Sequence, residues 1–336
     1  MRVVRWNALL AVLPLLACWF TAAAAVPIKM ATLAPDGSVW HKTLLDMGDE
    51  WSKSTQGRVT LKIYAGGIAG DDPDMVRKMR IGQVQASALT IRGLAEIDPN
   101  FEVFTVPMLF NSYDELYAVL ARLEPTLKKK LEAKGFVLLG WGHGGWVYLF
   151  SRQPVASAAD LRKQKLWVWA GDEKMTNIWK ANGFQPVALS ATDILTGLKT
   201  GMIDALPTVP LGALQLQWFR TTTHMVDSGL APLVGGIVVT KQAWSKISPQ
   251  DQASILAACS KAEARLKAIV PQQEKDAIAE MKKRGLVVTE VKPEAMAEWK
   301  ALTETFASKM KGTIVPAEIL EQAVRERDAY RQQSAR

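Results

Sequence analysis

The chain reads as an α/β protein of two lobes, and three observations predict it. Apolar residues switch back and forth between period two and helical spacing, the pattern of sheets covered by helices. That rhythm runs to about Trp146 and restarts at Val147. With 336 residues, or about 311 once a leader is removed, the chain is long enough for two cores at about 100–200 residues per domain.

The elements follow in order. Arg2 and Arg5 precede a mostly apolar run, Ala8–Phe20, and then Thr21-Ala22-Ala23-Ala24-Ala25. This is the charge, core and small-residue order of a secretory signal peptide cut after Ala25, and it predicts a periplasmic protein. Leu15-Leu16-Ala17-Cys18 offers a weaker lipoprotein site at Cys18, since the apolar run continues past it. That run is about 13 residues, short of the roughly 20 of a membrane helix. A strand at Pro27–Leu33 enters the turn Ala34-Pro35-Asp36-Gly37, and Ser38 caps a helix with Val39, Thr43, Met47 and Trp51 on one face. A strand Val59–Tyr64, a helix Pro73–Ile81, a strand Val84–Thr90, a long helix Tyr113–Lys134 and a strand Phe136–Trp141 complete the first round.

The second round has a strand Val147–Phe150, a helix Ala158–Arg162, a strand Lys165–Trp169 and helices Lys174–Asn182 and Thr192–Thr200. After Gly235-Gly236 comes a strand Ile237–Thr240, and Ser248-Pro249 then opens a helix of about 35 residues, to Arg284, with a kink expected at Pro271. A strand Leu286–Val291 and helices Pro293–Lys311 and Pro316–Arg331 finish the chain. The predicted organisation is a signal peptide at 1–25, lobe I from 26–146, lobe II from 147–235, a return to lobe I with a long bridging helix over 236–285, and a C-terminal part, 286–336, mainly on lobe II. No low-complexity linker separates the lobes, which suits a hinge.

The net charge is +8 and falls to +6 without Arg2 and Arg5, with 39 basic against 33 acidic residues. Lys128-Lys129-Lys130 and Lys282-Lys283-Arg284 sit at predicted helix ends, where cations suit the dipole, so no nucleic-acid partner is implied. Of the two cysteines only Cys259 outlasts the leader, so no internal disulfide forms. The catalytic motifs G-x-S-x-G, H-E-x-x-H and the Walker loop do not occur. His41, His143 and His224 lack metal-ligand spacing. Gly140-Trp141-Gly142-His143-Gly144-Gly145 is glycine-rich but joins two predicted strands instead of opening a helix, so it is no phosphate cradle. Neither cofactor nor catalysis is expected, and a hydrolase using His143 or Asp172 is the weakest rival.

Several segments in order, Lys62-Ile63-Tyr64-Ala65-Gly66-Gly67, Met79-Arg80-Ile81-Gly82-Gln83, Val106-Pro107-Met108-Leu109-Phe110, Asp160-Leu161-Arg162 with Lys165-Leu166-Trp167-Val168, and Leu198-Lys199-Thr200-Gly201-Met202-Ile203-Asp204, resemble the DctP-type solute-binding proteins of TRAP (tripartite ATP-independent periplasmic) transporters. The resemblance implies a two-lobe periplasmic binding protein fold with a ligand cleft between the lobes and a long bracing helix. It also implies delivery of a small-molecule ligand to TRAP membrane permease subunits driven by an ion gradient. Organic-acid binders of the family carry an arginine where this chain has Trp167. Gly144-Gly145-Trp146-Val147 and Ala205-Leu206-Pro207-Thr208-Val209-Pro210 are thinned of polar anchors too. The chain thereby resembles variants without the clamping arginine, some of which act as carriers or sensors with a periplasmic tetratricopeptide-repeat protein.

Those departures predict a hydrophobic or amphipathic ligand. A buried carboxylate without a cation costs several kcal/mol, whereas each aromatic wall covers roughly 150–250 Å². The candidate walls are Trp40, Trp141, Trp146, Trp167, Trp169 and Trp218, with Phe219 beside the last. Trp167 and Trp169 share a strand face at the carboxyl end where open α/β sheets bind ligands. Asp172 and Glu173 are either ligand contacts or helix N-terminal acids. Arg92, just past the strand ending at Thr90, either reaches the cleft or pairs with Glu96; reaching it, Arg92 would allow a monocarboxylate. Thr90, Thr208 and His143 are further polar candidates.

Overall fold

The computed structural model describes residues 25–334; the leader predicted at 1–25, with its alternative site at Cys18, lies outside them except for Ala25. Lobe I begins with β1 (Val26–Thr32), α1 (Val39–Ser54), β2 (Val59–Tyr64), α2 (Asp72–Arg80), β3 (Ala86–Thr90), α3 (Ile91–Ile97), a 3-10 segment at Pro99–Thr105 and α4 (Tyr113–Ala133). Next comes β4 (Phe136–Ser151), then α5 (Ala158–Arg162), β5 (Lys165–Trp169), α6 (Glu173–Ala181), β6 (Gln185–Leu189), α7 (Ile194–Thr200), β7 (Ala205–Thr208) and α8 (Pro210–Gln215). The chain ends with β8 (His224–Val226), β9 (Ala231–Thr240), α9 (Lys241–Trp244), α10 (Pro249–Lys283), β10 (Val287–Thr289), α11 (Pro293–Met310) and α12 (Ala317–Ser334).

Local chemistry sets the helix starts. Ser38 accepts the His41 N–H at α1, and Ser248 accepts the Asp251 N–H at α10, where Pro249 supplies no donor to satisfy. Asp71 and Asp74 form a capping box on α2.

In lobe I, β2, β1 and β3 run parallel, and β9 pairs antiparallel with both β3 and β4. One face of this sheet packs Ile28, Met30 and Val239 against Met47 and Trp51 of α1 and Cys259 of α10. The other packs Met75, Leu94, Phe101, Phe104 and Leu123 around Trp141. Each such side chain contributes about 1.5–3 kcal/mol by leaving water. In lobe II the last residues of β4 pair with β7, which leads to β5 and β6, while β8 and β10 flank β4 on its other side.

Three expectations change. The two strands read on either side of Gly140–Gly145 are a single 16-residue strand, β4, with register shifts at Leu138/Gly140 and His143/Gly145. The 146/147 boundary thus falls inside a strand shared by both lobes. β9 starts at Ala231, before Gly235-Gly236 instead of after it. A Cβ on Gly235 would lie 2.5 Å from the Leu89 carbonyl oxygen, so glycine admits the close approach of β3. The C-terminal part, expected mainly on lobe II, is divided: β10 pairs with β8 and α11 packs on α5 and α6, while α12 packs on α4 of lobe I.

β4 is the edge strand of the lobe I sheet, and α10 seals it. Glu263 accepts the Trp141 N–H at 3.0 Å, and Glu274 accepts the Trp146 N–H at 2.5 Å, satisfying donors an edge leaves open. The same helix lies against α1 of lobe I and α8 of lobe II. Among the described residues, no helix is long and apolar enough to cross a membrane.

Candidate functional site at the interlobe seam

The carboxyl ends of β1, β2 and β3 meet those of β5 and β6 at the seam between lobes. Asp71, at the end of the loop after β2, accepts the Ala191 N–H of lobe II at 2.8 Å. A Cβ on Gly67 would lie 2.8 Å from Thr192 Cγ2, and one on Gly171 would lie 3.8 Å from an Arg92 terminal nitrogen. Glycine at 67, at positive φ, thus lets the lobes approach, whereas Gly171, also at positive φ, stands at ordinary contact distance from Arg92.

Arg92 is the cation of this seam. It is the second residue of α3, its side chain is 13% exposed, and its Nη2 lies 3.6 Å from Glu96 Oε2. Its Nε is buried with no hydrogen-bond partner. Acids surround it. Glu102 is pushed up to about 7 by burial and by the charge of Asp172, against the Thr105 hydroxyl and Arg92. Asp71 is raised by burial, opposed by the Ala191 and Asp72 N–H groups and by Arg92. Asp72 is completely buried and pushed up to about 7 by that burial, although Thr90 donates both its hydroxyl and its N–H to Asp72 Oδ2.

The other predicted residues are placed as follows. The Thr90 hydroxyl is occupied by Asp72 and by capping Arg92 N–H. Asp172 caps α6 by accepting the Met175 N–H at 3.1 Å, and Glu173 is exposed in its first turn. Thr208 ends β7 opposite Tyr148, half-buried at the lobe junction. Trp167 and Trp169 do share a face, with ring centroids 4.8 Å apart, but that face packs in lobe II, where the Trp167 indole donates to the Leu189 carbonyl. Trp169 is half-buried beside it.

The remaining aromatic candidates do not converge, which corrects the expected apolar wall. Trp141 is a lobe I core residue, 2% exposed, packed on Phe101 and Phe104, with its indole N–H on Glu124. Trp218 and Phe219 are buried in the lobe II core. Trp146 meets Tyr113 edge-on and presses on Gly229. Trp40 is half-buried and its indole donates to the His143 carbonyl, tying α1 to β4. His143 is itself buried edge-on to Tyr117 under α10, 3.9 Å from Glu263 and too far for a hydrogen bond. Burial lowers its pKa against the pull of Glu263, so it serves β4 and not the seam.

Sequence reading missed Asp71, Glu102 and the 190–192 turn. Asp71 was missed because its partner across the seam is 120 residues away.

The model of a protein family described as bacterial extracellular solute-binding protein, family 7 (DctP), matches residues 30–312. The chain is 25% identical over 269 residues to the 2,3-diketo-L-gulonate-binding periplasmic protein YiaO of Escherichia coli, covering 77% of this chain and 79% of that one. Its fold is similar to that of the sugar acid binding protein DctPAm from Advenella mimigardefordensis in complex with galactonate, with a TM-score of 0.85, 19% identity and coverage of 91% and 99%. It is likewise similar to DctP7 of Bordetella pertussis, an extracytoplasmic solute receptor binding pyroglutamic acid, with a TM-score of 0.83, 21% identity and coverage of 90% and 100%.

Proposed function

The chain belongs to the bacterial extracellular solute-binding proteins, family 7, of TRAP transporters, and we propose that it holds a small hydroxylated carboxylic acid at the interlobe seam, anchored on Arg92, for delivery to the membrane subunits. Members of this family bind and hand over; they are not enzymes. One observation carries the choice of ligand: a half-buried arginine whose Nε is buried with no partner, placed where the carboxyl ends of the two sheets meet. An unpaired buried donor costs about 1–3 kcal/mol, which a carboxylate oxygen relieves.

The acids around Arg92 narrow the class further. Glu102 lies in its field and in that of Asp172, and carboxyl oxygens accept hydrogen bonds. A ligand that is nothing but carboxylate meets repulsion there, whereas hydroxyls beside the acid group donate to them. The relatives that bind diketogulonate, galactonate and pyroglutamic acid fit this pairing of an acid group with neighbouring polar groups. An apolar ligand fits less well, because Trp141, Trp218 and Phe219 are spent in the cores.

The test is mass spectrometry of small molecules released from the purified protein, followed by calorimetric titration with galactonate, glucuronate and pyroglutamate. At least one should bind, and Arg92→Gln should weaken it at least about tenfold, given about 1.5–3 kcal/mol for a charged hydrogen bond. Release of a ligand without a carboxylate, or an unchanged Kd in Arg92→Gln, would overturn the assignment.

A further inference from the structure

The two carboxylate oxygens of Asp71 serve different lobes. Oδ1 accepts the Asp72 N–H at 2.8 Å and caps α2, while Oδ2 accepts the Ala191 N–H at 2.8 Å across the seam. Ala191 opens a single 3-10 turn, Ala191–Asp193, whose own N-cap, Ser190, makes no side-chain capping bond. The turn is therefore capped from the opposite lobe. The fit around this bond is close: Asp71 is 6% exposed, and Gly67, two turns of loop earlier at φ 75°, faces Thr192 with no space for a Cβ.

We infer that Asp71 is a closure residue: it latches the two lobes by capping the Ala191 turn in trans, and so sets how long any ligand is retained without touching the ligand itself. When the lobes part, Asp71 keeps its duty to α2, and only the Ala191 N–H exchanges its partner for water. The closed state thus owes part of its population to a bond made by protein alone. Retention depends on that population, because the apparent Kd is the intrinsic value divided by the closed fraction. This rests on the seam being the binding site, but not on Arg92 or the ligand class.

Ala191→Pro removes the donor with little local penalty. Ser190 already has ψ near 150°, the extended conformation required before proline, and the first position of a turn tolerates the missing N–H. Asp71→Asn is the second variant; it keeps an oxygen for α2 and presents an amide donor where an acceptor is needed. Spin labels on Lys53→Cys and Lys180→Cys, both exposed and one in each lobe, report interlobe distance in ligand-free protein, with buried Cys259 left unlabelled. Each latch variant should shift the distance distribution towards the open population by roughly tenfold in the closed-to-open ratio, the scale of one charge-assisted bond. The double variant should shift it no further.

Hydrogen exchange of the peptide spanning Leu189–Asp193 should rise in both variants. The melting temperature should stay close to the parent's, which separates a lost latch from a damaged fold. Unchanged distances and exchange in both variants, or additive effects in the double variant, would overturn the latch. Since these readings are taken without ligand, they stand or fall separately from the choice of Arg92.

Discussion

Glu274 offers the sharpest test of how α10 holds the hinge. Its Oε2 accepts the Trp146 N–H at 2.5 Å and the Tyr113 hydroxyl at 3.0 Å, its Oε1 accepts the Tyr148 hydroxyl at 3.2 Å, and it is only 8% exposed. Glu274→Ala strands all three donors. The two hydroxyls line a groove of about 1320 Å³ beneath α11 and α12 and can rebond to water. Trp146 N–H, buried on the edge of β4, loses the acceptor it has. One buried donor left unpaired costs about 1–3 kcal/mol, and lost charge-assisted bonds add to it, so the expected loss is about 2–4 kcal/mol. Glu274→Gln keeps one oxygen for Trp146 and Tyr113 and turns its amide to the Tyr148 oxygen, for a loss of about 1 kcal/mol. Urea unfolding followed by far-ultraviolet circular dichroism measures both, since it is blind to the neighbouring tryptophan. An alanine variant within about 0.5 kcal/mol of the parent, the scatter of ordinary surface changes, would refute the reasoning. So would a glutamine variant as unstable as alanine, because then charge and not donor geometry would be what matters.

Three carboxyl groups predict opposing pH dependences. Burial works against Glu263, but its bonds with Lys267 and the Trp141 N–H and the nearby His143 outweigh it and hold it at about 2 instead of 4.5. Its contribution is therefore present above pH 4.5 and lost as pH falls towards 2. The stability gap between the parent and Glu263→Gln should shrink by about 3 kcal/mol over that window, at 1.36 kcal/mol per unit. Asp72 and Glu102 are raised to about 7, so their contribution is complete below about pH 4 and lost as pH rises through 7. Asp72→Asn should flatten the fall in urea midpoint between pH 5 and 8. Trp141→Ala should cost about 3–5 kcal/mol of stability in a thermal melt while leaving Kd nearly unchanged; a weakened Kd with an unshifted melt would return Trp141 to the site.

Most helices were legible from their apolar spacing, and two of them from starts written locally, in Ser38 and Ser248. β6 and β7 were not, since Pro186 and Pro207 sit inside strands of 5 and 4 residues, where proline ordinarily argues against a strand. Gly140–Gly145 looked like a loop because bulges in an edge strand use glycine just as turns do. For the site, period two correctly put Trp167 and Trp169 on one face but could not say what that face meets. Arg92 was readable as a residue just past a strand end. Its surroundings were not, for Asp71 and Glu102 feel its charge from separate segments, and no spacing rule joins them.

The chain crosses between lobes in β4, returns in β9, crosses again in α10 and returns after α11. Neither lobe is consequently a contiguous stretch that could be excised. Truncation after Trp146 would leave one sheet without β9 and the other without its first strand, and a protease nick in a surface loop would leave each fragment holding part of its neighbour's sheet. Unfolding of such an interleaved chain is expected to be a single cooperative event in spite of its two cores. A swap of ligand-binding lobes between relatives would have to exchange matched pairs of strands, never a single segment.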